Sequence, residues 1–126
     1  AIAALAAEIT VDEEVVYKPL ETMMIAGDWH KGRVVLLGDA VHATTPHLAS
    51  GAGIAVEDAL VLREELGVCD GDIEAGFAAF TKRRFERCKL VVESSIAIGD
   101  AQIGHAPADQ IGMMMGKALH ALFAEI

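Results

Sequence analysis

The residues most able to do chemistry lie between Gly38 and Ala59: Gly38-Asp39-Ala40-Val41-His42-Ala43-Thr44-Thr45-Pro46-His47-Leu48-Ala49-Ser50-Gly51-Ala52-Gly53-Ile54-Ala55-Val56-Glu57-Asp58-Ala59. The apolar run Val34-Val35-Leu36-Leu37 ahead of them predicts a short strand buried on both faces, as in a parallel sheet. Gly38 allows close approach to the backbone where that strand ends. Asp39 then projects from the carboxyl end of the strand, where open α/β sheets place their ligands. A carboxylate there accepts hydrogen bonds from the hydroxyls of a polyol. Pro46 offers a rigid, flat surface for a ring to lie against. A helix predicted to begin at Gly51 or Gly53 turns its free N–H groups and about half a positive charge outward. The small residues Gly51, Ala52 and Gly53 let a bulky ligand reach those donors. A group that becomes anionic gains about 1–2 kcal/mol there when partly buried.

A hydroxyl-binding carboxylate, a flat wall and an anion-stabilising helix end together suit a flavin, with its ribityl chain, its ring and a pyrimidine edge that turns anionic on reduction. The segment resembles the second flavin-binding segment of the para-hydroxybenzoate-hydroxylase-like FAD-dependent monooxygenases. Within that family, His42-Ala43-Thr44-Thr45-Pro46-His47 is most similar to the salicylate-hydroxylase-like branch. Tyr17-Lys18-Pro19-Leu20-Glu21 and Trp29-His30-Lys31-Gly32-Arg33 resemble the family's flanking sequence. The resemblance implies that Asp39, following Gly38, binds the ribityl chain of FAD. It places Pro46 beside the flavin ring and the backbone N–H groups of Gly51, Ala52 and Gly53 at its pyrimidine edge. For the intact protein it implies an oxidoreductase: NAD(P)H reduces the flavin, dioxygen gives a flavin C4a-hydroperoxide, and one oxygen atom passes to a small aromatic substrate. The cofactor then carries the hard chemistry, and no side chain of this segment need act as acid or base. Two departures stand out: Ala49-Ser50-Gly51 where the family usually has Gly-Gln-Gly, and Thr45 where a second proline is frequent.

The elements that must position these residues are an α/β fragment rich in helix, with short strands followed by three helices. The resemblance makes this the C-terminal part of an FAD-binding, Rossmann-like domain. Residues 1–28 are expected to hold the end of a substrate-domain region and a connecting strand, residues 29–70 the FAD-binding strand, loop and helix, and residues 71–126 the C-terminal helices. The Ala-rich start reads as the end of a helix, Val15-Val16-Tyr17 as a strand limited to an edge by Pro19, and Ala26 to Gly32 as a turn. The helix from Gly51 should stop at Gly67, and Asp72 is a suitable N-cap for the next one. That helix carries Phe77, Phe80, Arg84, Phe85, Cys88, Val91, Val92 and Ser95 at spacings of three and four. After Gly104 and Pro107, a last helix aligns Ile111, Met114, Met115, Ala118, Leu119, Leu122, Phe123 and Ile126. The chain opens without Met and reads as part of a longer protein. The Gly-x-Gly-x-x-Gly fingerprint for the ADP half of FAD is missing, since Gly51-Ala52-Gly53-Ile54-Ala55-Val56 lacks the third glycine and follows a loop. The isolated 126 residues are therefore expected to bind FAD negligibly.

A formal charge of −9 argues against nucleic acid or an anionic membrane as partner, because both require clustered Lys and Arg. No stretch reaches the ~20 apolar residues of a membrane span. Two cysteines, Cys69 and Cys88, fit a reduced, cytoplasmic chain. Blander readings cover the remaining polar residues. No metal site is expected, because Asp39, His42 and His47 share no strict helical face and lack a third neutral ligand. His42 reads as a packing residue bonded to backbone, and His30, His105 and His120 as surface residues. Glu57 and Asp58 suit the first turns of a helix, Arg83, Arg84 and Arg87 a solvated face, Cys88 inert core, and Met113 to Met115 core. Two other functions stay open: a non-hydroxylating FAD oxidoreductase of the same family, and a ligand-free helical module for oligomerisation. In the flavin reading, the apolar faces of the later helices also offer a homodimer contact.

Overall fold

The computed structural model describes residues 2–124. Helix α1 (Ile2–Ala6) and a single 3-10 turn (Asp12–Glu14) lead into an extended stretch. A two-strand antiparallel hairpin follows, β1 (His30–Lys31) and β2 (Val34–Val35), closed at Gly32. Next come the short helix α2 (Asp39–His42), a 3-10 turn (Pro46–Leu48) and three helices: α3 (Gly51–Val68), α4 (Ile73–Ile103) and α5 (Ala108–Ala121). No helix among the described residues is long and apolar enough to cross a membrane.

Helix α4 organises the molecule. Its polar ends are fixed locally: the Asp72 carboxylate accepts from the Ala75 N–H at 3.1 Å, the cap its sequence predicts, and Gly104 closes the helix before Pro107. Its buried stripe of Phe77, Phe80, Arg84, Cys88, Val91, Val92, Ser95 and Ile98 serves two cores. The first joins Phe80 and Cys88 to Trp29, Val41 and Val61. The second joins Val91 and Ile98 to Leu48, Ile54 and Ala118. The candidate loop is therefore gripped at both ends by one rigid rod.

The strand expectations change. Val34–Val35 pairs only with His30–Lys31, antiparallel, and Val34 and Leu36 are exposed. It is not a two-face-buried parallel strand, because a strand acquires its second face and direction from neighbours, and none other pairs with it among the described residues. Val15, Val16 and Tyr17 form no strand and are exposed. The segment from Met23 to Ile25 does run beside the loop, donating from the Met23 and Ile25 N–H groups to the Ala43 and Val41 carbonyls, each at 2.9 Å. On α5 and just beyond its end, Met114, Met115 and Leu122 pack inward, but Met113, Leu119 and Phe123 face outward. A fourteen-residue helix packed on α4 and the Pro46–Leu48 turn, with its other side open, buries a narrower stripe than its sequence offers. Ile126 lies outside the described residues.

Candidate functional site

Gly38 is where the chain turns from β2 into α2. Its φ of +59° lies where a side chain is strained, and an added Cβ would stand 3.3 Å from the Ala55 Cβ of α3. Glycine is needed for both reasons. Asp39 follows as the first residue of α2 and is exposed; it does not extend from a long strand. No described residue bonds its carboxylate.

Asp39, Thr44, Thr45, Pro46, Gly51, Ala52 and Ala55 wall one cavity of about 350 Å³. Of the predicted residues, Asp39, Pro46, Gly51 and Ala52 thus meet at one place. Gly38 supports it from behind, and Gly53 lies one residue beyond its wall. The eighteen-residue α3 begins at this cavity without a side-chain cap. Ser50 occupies the capping position, yet its hydroxyl donates backward to the Leu48 carbonyl at 3.0 Å. The first intrahelical donor seen is the Ile54 N–H, to the Ser50 carbonyl. The preceding amides therefore keep their donors and the positive helix end for whatever fills the cavity.

Ala49, which replaces a glycine usual in the resembling family, sits at φ +53°, ψ 25°. A left-handed non-glycine residue costs about 1–2 kcal/mol, partly offset by the lower chain entropy of alanine. Ala49→Gly is expected to stabilise the chain by roughly 0.5–1 kcal/mol in urea unfolding. No gain would show that the alanine is not held left-handed.

Sequence reasoning missed what holds the cavity's walls. Asp58, from the second turn of α3, is fully buried. Its Oδ2 accepts from the Gly38 N–H at 2.9 Å and meets His42 Nε2 at 2.6 Å, while its Oδ1 accepts from Arg84 Nε at 2.8 Å. His42 is indeed a packing residue, but its partner is this carboxylate and not backbone. With the proton on Nε2, the sealed Nδ1 without a partner is a lone pair and not a stranded N–H. Burial pushes the Asp58 carboxyl upward, but the hydrogen bonds from His42, Gly38 and Arg84 outweigh it and hold it below its ordinary range. Of the three arginines expected on a solvated face, Arg83 is exposed, whereas Arg84 is buried and Arg87 half-buried. Arg84 is buried and also reaches Glu57 at 2.9 Å and the Ile54 carbonyl at 3.2 Å. Arg87 forks onto Glu57 at 2.7 and 2.8 Å and donates to the Leu122 carbonyl. Arg83 pairs with Glu64 and Glu65. His30 is half-buried beside Phe77, whereas His105 and His120 are exposed.

His42, Asp58 and Cys88 bring three ligand-type atoms within 4.8 Å of one another. Arg84 fills that space with its own charge, which a bound cation would have to displace. Burial and the neighbouring Asp58 charge push the Cys88 thiol up to about 12, which suits inert core and not a thiolate ligand. A second anchor ties the far side of the loop. Ser95 Oγ donates to the Thr45 carbonyl at 2.6 Å, lies 2.9 Å from Thr45 Oγ1, and accepts from the Leu48 N–H at 3.4 Å. The available signal was Arg84 and Ser95 standing on an otherwise apolar stripe, where buried polar groups must find partners.

The chain is 42% identical over 80 residues to 3-hydroxybenzoate 6-hydroxylase of Polaromonas naphthalenivorans, covering 64% of this chain and 20% of that one. It is 38% identical over 71 residues to 3-hydroxybenzoate 6-hydroxylase of Klebsiella oxytoca, covering 56% and 18%. It is 44% identical over 66 residues to 6-hydroxynicotinate 3-monooxygenase of Bordetella bronchiseptica, covering 50% and 17%. The chain spans about a fifth of the length of the curated relatives it matches. No solved structure gives a significant match. The family model described as "FAD binding domain" matches residues 7–95, and with that match over most of its length the chain belongs to this family of FAD-binding proteins.

Proposed function

We propose that residues 38–53 form the flavin-facing half of an FAD site in an NAD(P)H- and dioxygen-dependent monooxygenase acting on a small aromatic substrate. Asp39 accepts from the ribityl hydroxyls, Pro46 lies beside the ring, and the amides of Gly51, Ala52 and Gly53 donate to its pyrimidine edge. Residues 29–70 carry this half-site of a Rossmann-like domain, and the helices of residues 71–126 back it. The single observation that supports the reading is the shared cavity: an unpartnered carboxylate, a proline and an uncapped helix start face the same space. The relatives, a 3-hydroxybenzoate 6-hydroxylase and a 6-hydroxynicotinate 3-monooxygenase, favour an aromatic substrate.

When bound, the flavin supplies hydride acceptance and oxygen activation. The chain's own residues supply binding, orientation and charge. The amide donors favour an anionic ring, and the Pro46–Leu48 turn, pinned by Ser95, sets the wall against which the ring lies. Asp39→Ala in the full-length protein is expected to weaken FAD binding by about 1.5–3 kcal/mol, roughly 10- to 150-fold in Kd. Equilibrium titration followed by flavin fluorescence measures it. Unchanged retention would assign Asp39 a purely structural role.

A further inference from the structure

We propose that helix α5 latches the flavin half-site and that Arg87 is the positioning residue that fastens it. The inference rests on the flavin reading, because the latch ends on the Gly38 turn and on the first turn of α3. Arg87 stands on α4 and reaches both neighbouring helices. Its Nε and Nη2 fork onto the Glu57 carboxylate of α3 at 2.7 and 2.8 Å. Its Nη2 and Nη1 also donate to the Leu122 and Ala124 carbonyls, just past α5, at 2.7 and 3.2 Å. The end of a helix leaves carbonyls without partners and gathers about half a negative charge. The guanidinium answers both.

Glu57 passes the constraint inward. Its Oε2 also accepts from Arg84 Nη2 at 2.9 Å. Arg84 in turn donates to the Ile54 carbonyl at 3.2 Å and to Asp58 at 2.8 Å, and Asp58 accepts from the Gly38 N–H at 2.9 Å. A string of charge-assisted bonds thus runs from the end of α5 to the residue before Asp39 and to the first turn of α3. The apolar side of α5 meets the same loop: Ile111, Met114, Met115 and Leu122 pack on the core that holds Leu48 and Ile54. That apolar burial supplies the docking energy. Enclosed ion pairs add little to it, because desolvation offsets their attraction, but their forked geometry fixes orientation. Docked α5 therefore sets Asp39 and the amides of Gly51 to Gly53 in place for FAD. By linkage, bound FAD must favour docked α5 by the same factor.

Full-length protein is titrated with FAD by flavin fluorescence, and amide hydrogen exchange is read with and without FAD. Arg87→Met is expected to weaken FAD binding about tenfold, within the range usual for coupled sites. In the wild type, FAD should slow exchange in the last turn of α5 by about the same factor. That slowing should saturate once FAD is bound, whereas a merely structural role gives global stabilisation that keeps growing with FAD concentration. In a Glu57→Gln background, Arg87→Met should have little further effect, since both act through one contact. Arg83→Met removes an exposed arginine of the same helix that pairs with Glu64 and Glu65; it should leave FAD binding within about twofold. Unchanged FAD affinity in Arg87→Met overturns the proposal, as do losses that multiply in the double variant or an α5 end whose exchange ignores FAD. If Arg87→Met does not fold, Arg87→Lys, which keeps the charge but loses the fork, carries the same comparison. Failure of the full-length protein to bind FAD removes the flavin reading, and the Gly38 amide then decides the latch alone: faster exchange in Arg87→Met supports it, and unchanged exchange overturns it.

Discussion

Asp58→Ala is expected to destabilise the chain by about 3–5 kcal/mol, because removing one partner of a buried ion pair leaves the other charge uncompensated. The lost carboxylate strands His42, the Gly38 N–H and Arg84 Nε, and leaves Arg84, whose Nη1 already lacks a partner, only the Glu57 carboxylate it shares with Arg87. Small domains hold only about 5–15 kcal/mol in total, so this is a large share. Urea unfolding followed by circular dichroism measures it, and a loss below about 1 kcal/mol would mean that the network is not sealed from water. Acid has a related effect with a definite sign. Asp58 sits below its ordinary 3.8, as described above, and Glu57 below its ordinary 4.5, chiefly through its bond from Arg87 against the opposing push of burial. The unfolded chain therefore takes up protons at higher pH than the folded one. Stability from both groups is complete above the ordinary values and falls as pH drops through the lowered ones. Asp58→Asn is expected to flatten that decline. An unaltered acid limb would assign the decline to other carboxylates.

Trp29→Ala should cost a comparable 3–5 kcal/mol, the usual range for truncating a large buried aromatic. Trp29 is wholly buried, with ring centroids 5.7 Å from His42, 5.8 Å from Phe80 and 6.3 Å from Phe85. Its Nε1 donates to the Ile25 carbonyl at 3.0 Å. Two-residue strands contribute little stability of their own, so this ring, with the His30–Phe77 contact, fastens the hairpin to α4. The loss should therefore appear twice: in global unfolding, and as faster hydrogen exchange at the Leu36 amide, which bonds the Trp29 carbonyl at 2.8 Å. Circular dichroism is the probe of choice, since the chain has one tryptophan. Trp29→Phe should retain part of the stability, and equal losses in both variants would show that the indole hydrogen bond, not the buried volume, is decisive.

Local chemistry was legible from the residues alone. The helix from Gly51, the Asp72 cap, the break at Gly104 and Pro107, and the inward stripe of α4 all follow from periodicity and backbone preference, which act over one or two turns. The candidate residues Gly38, Asp39, Pro46, Gly51, Ala52 and Gly53 could be singled out by type and spacing alone, and Asp39, Pro46, Gly51 and Ala52 do line one cavity. Tertiary structure alone decided how they are held. Asp58 reaches back twenty positions to Gly38 and forward twenty-six to Arg84, and Ser95 clamps a carbonyl fifty residues earlier. A carboxylate, a guanidinium or a hydroxyl has no intrinsic preference among such distant partners. Only burial, which removes water as the alternative, forces each to choose one.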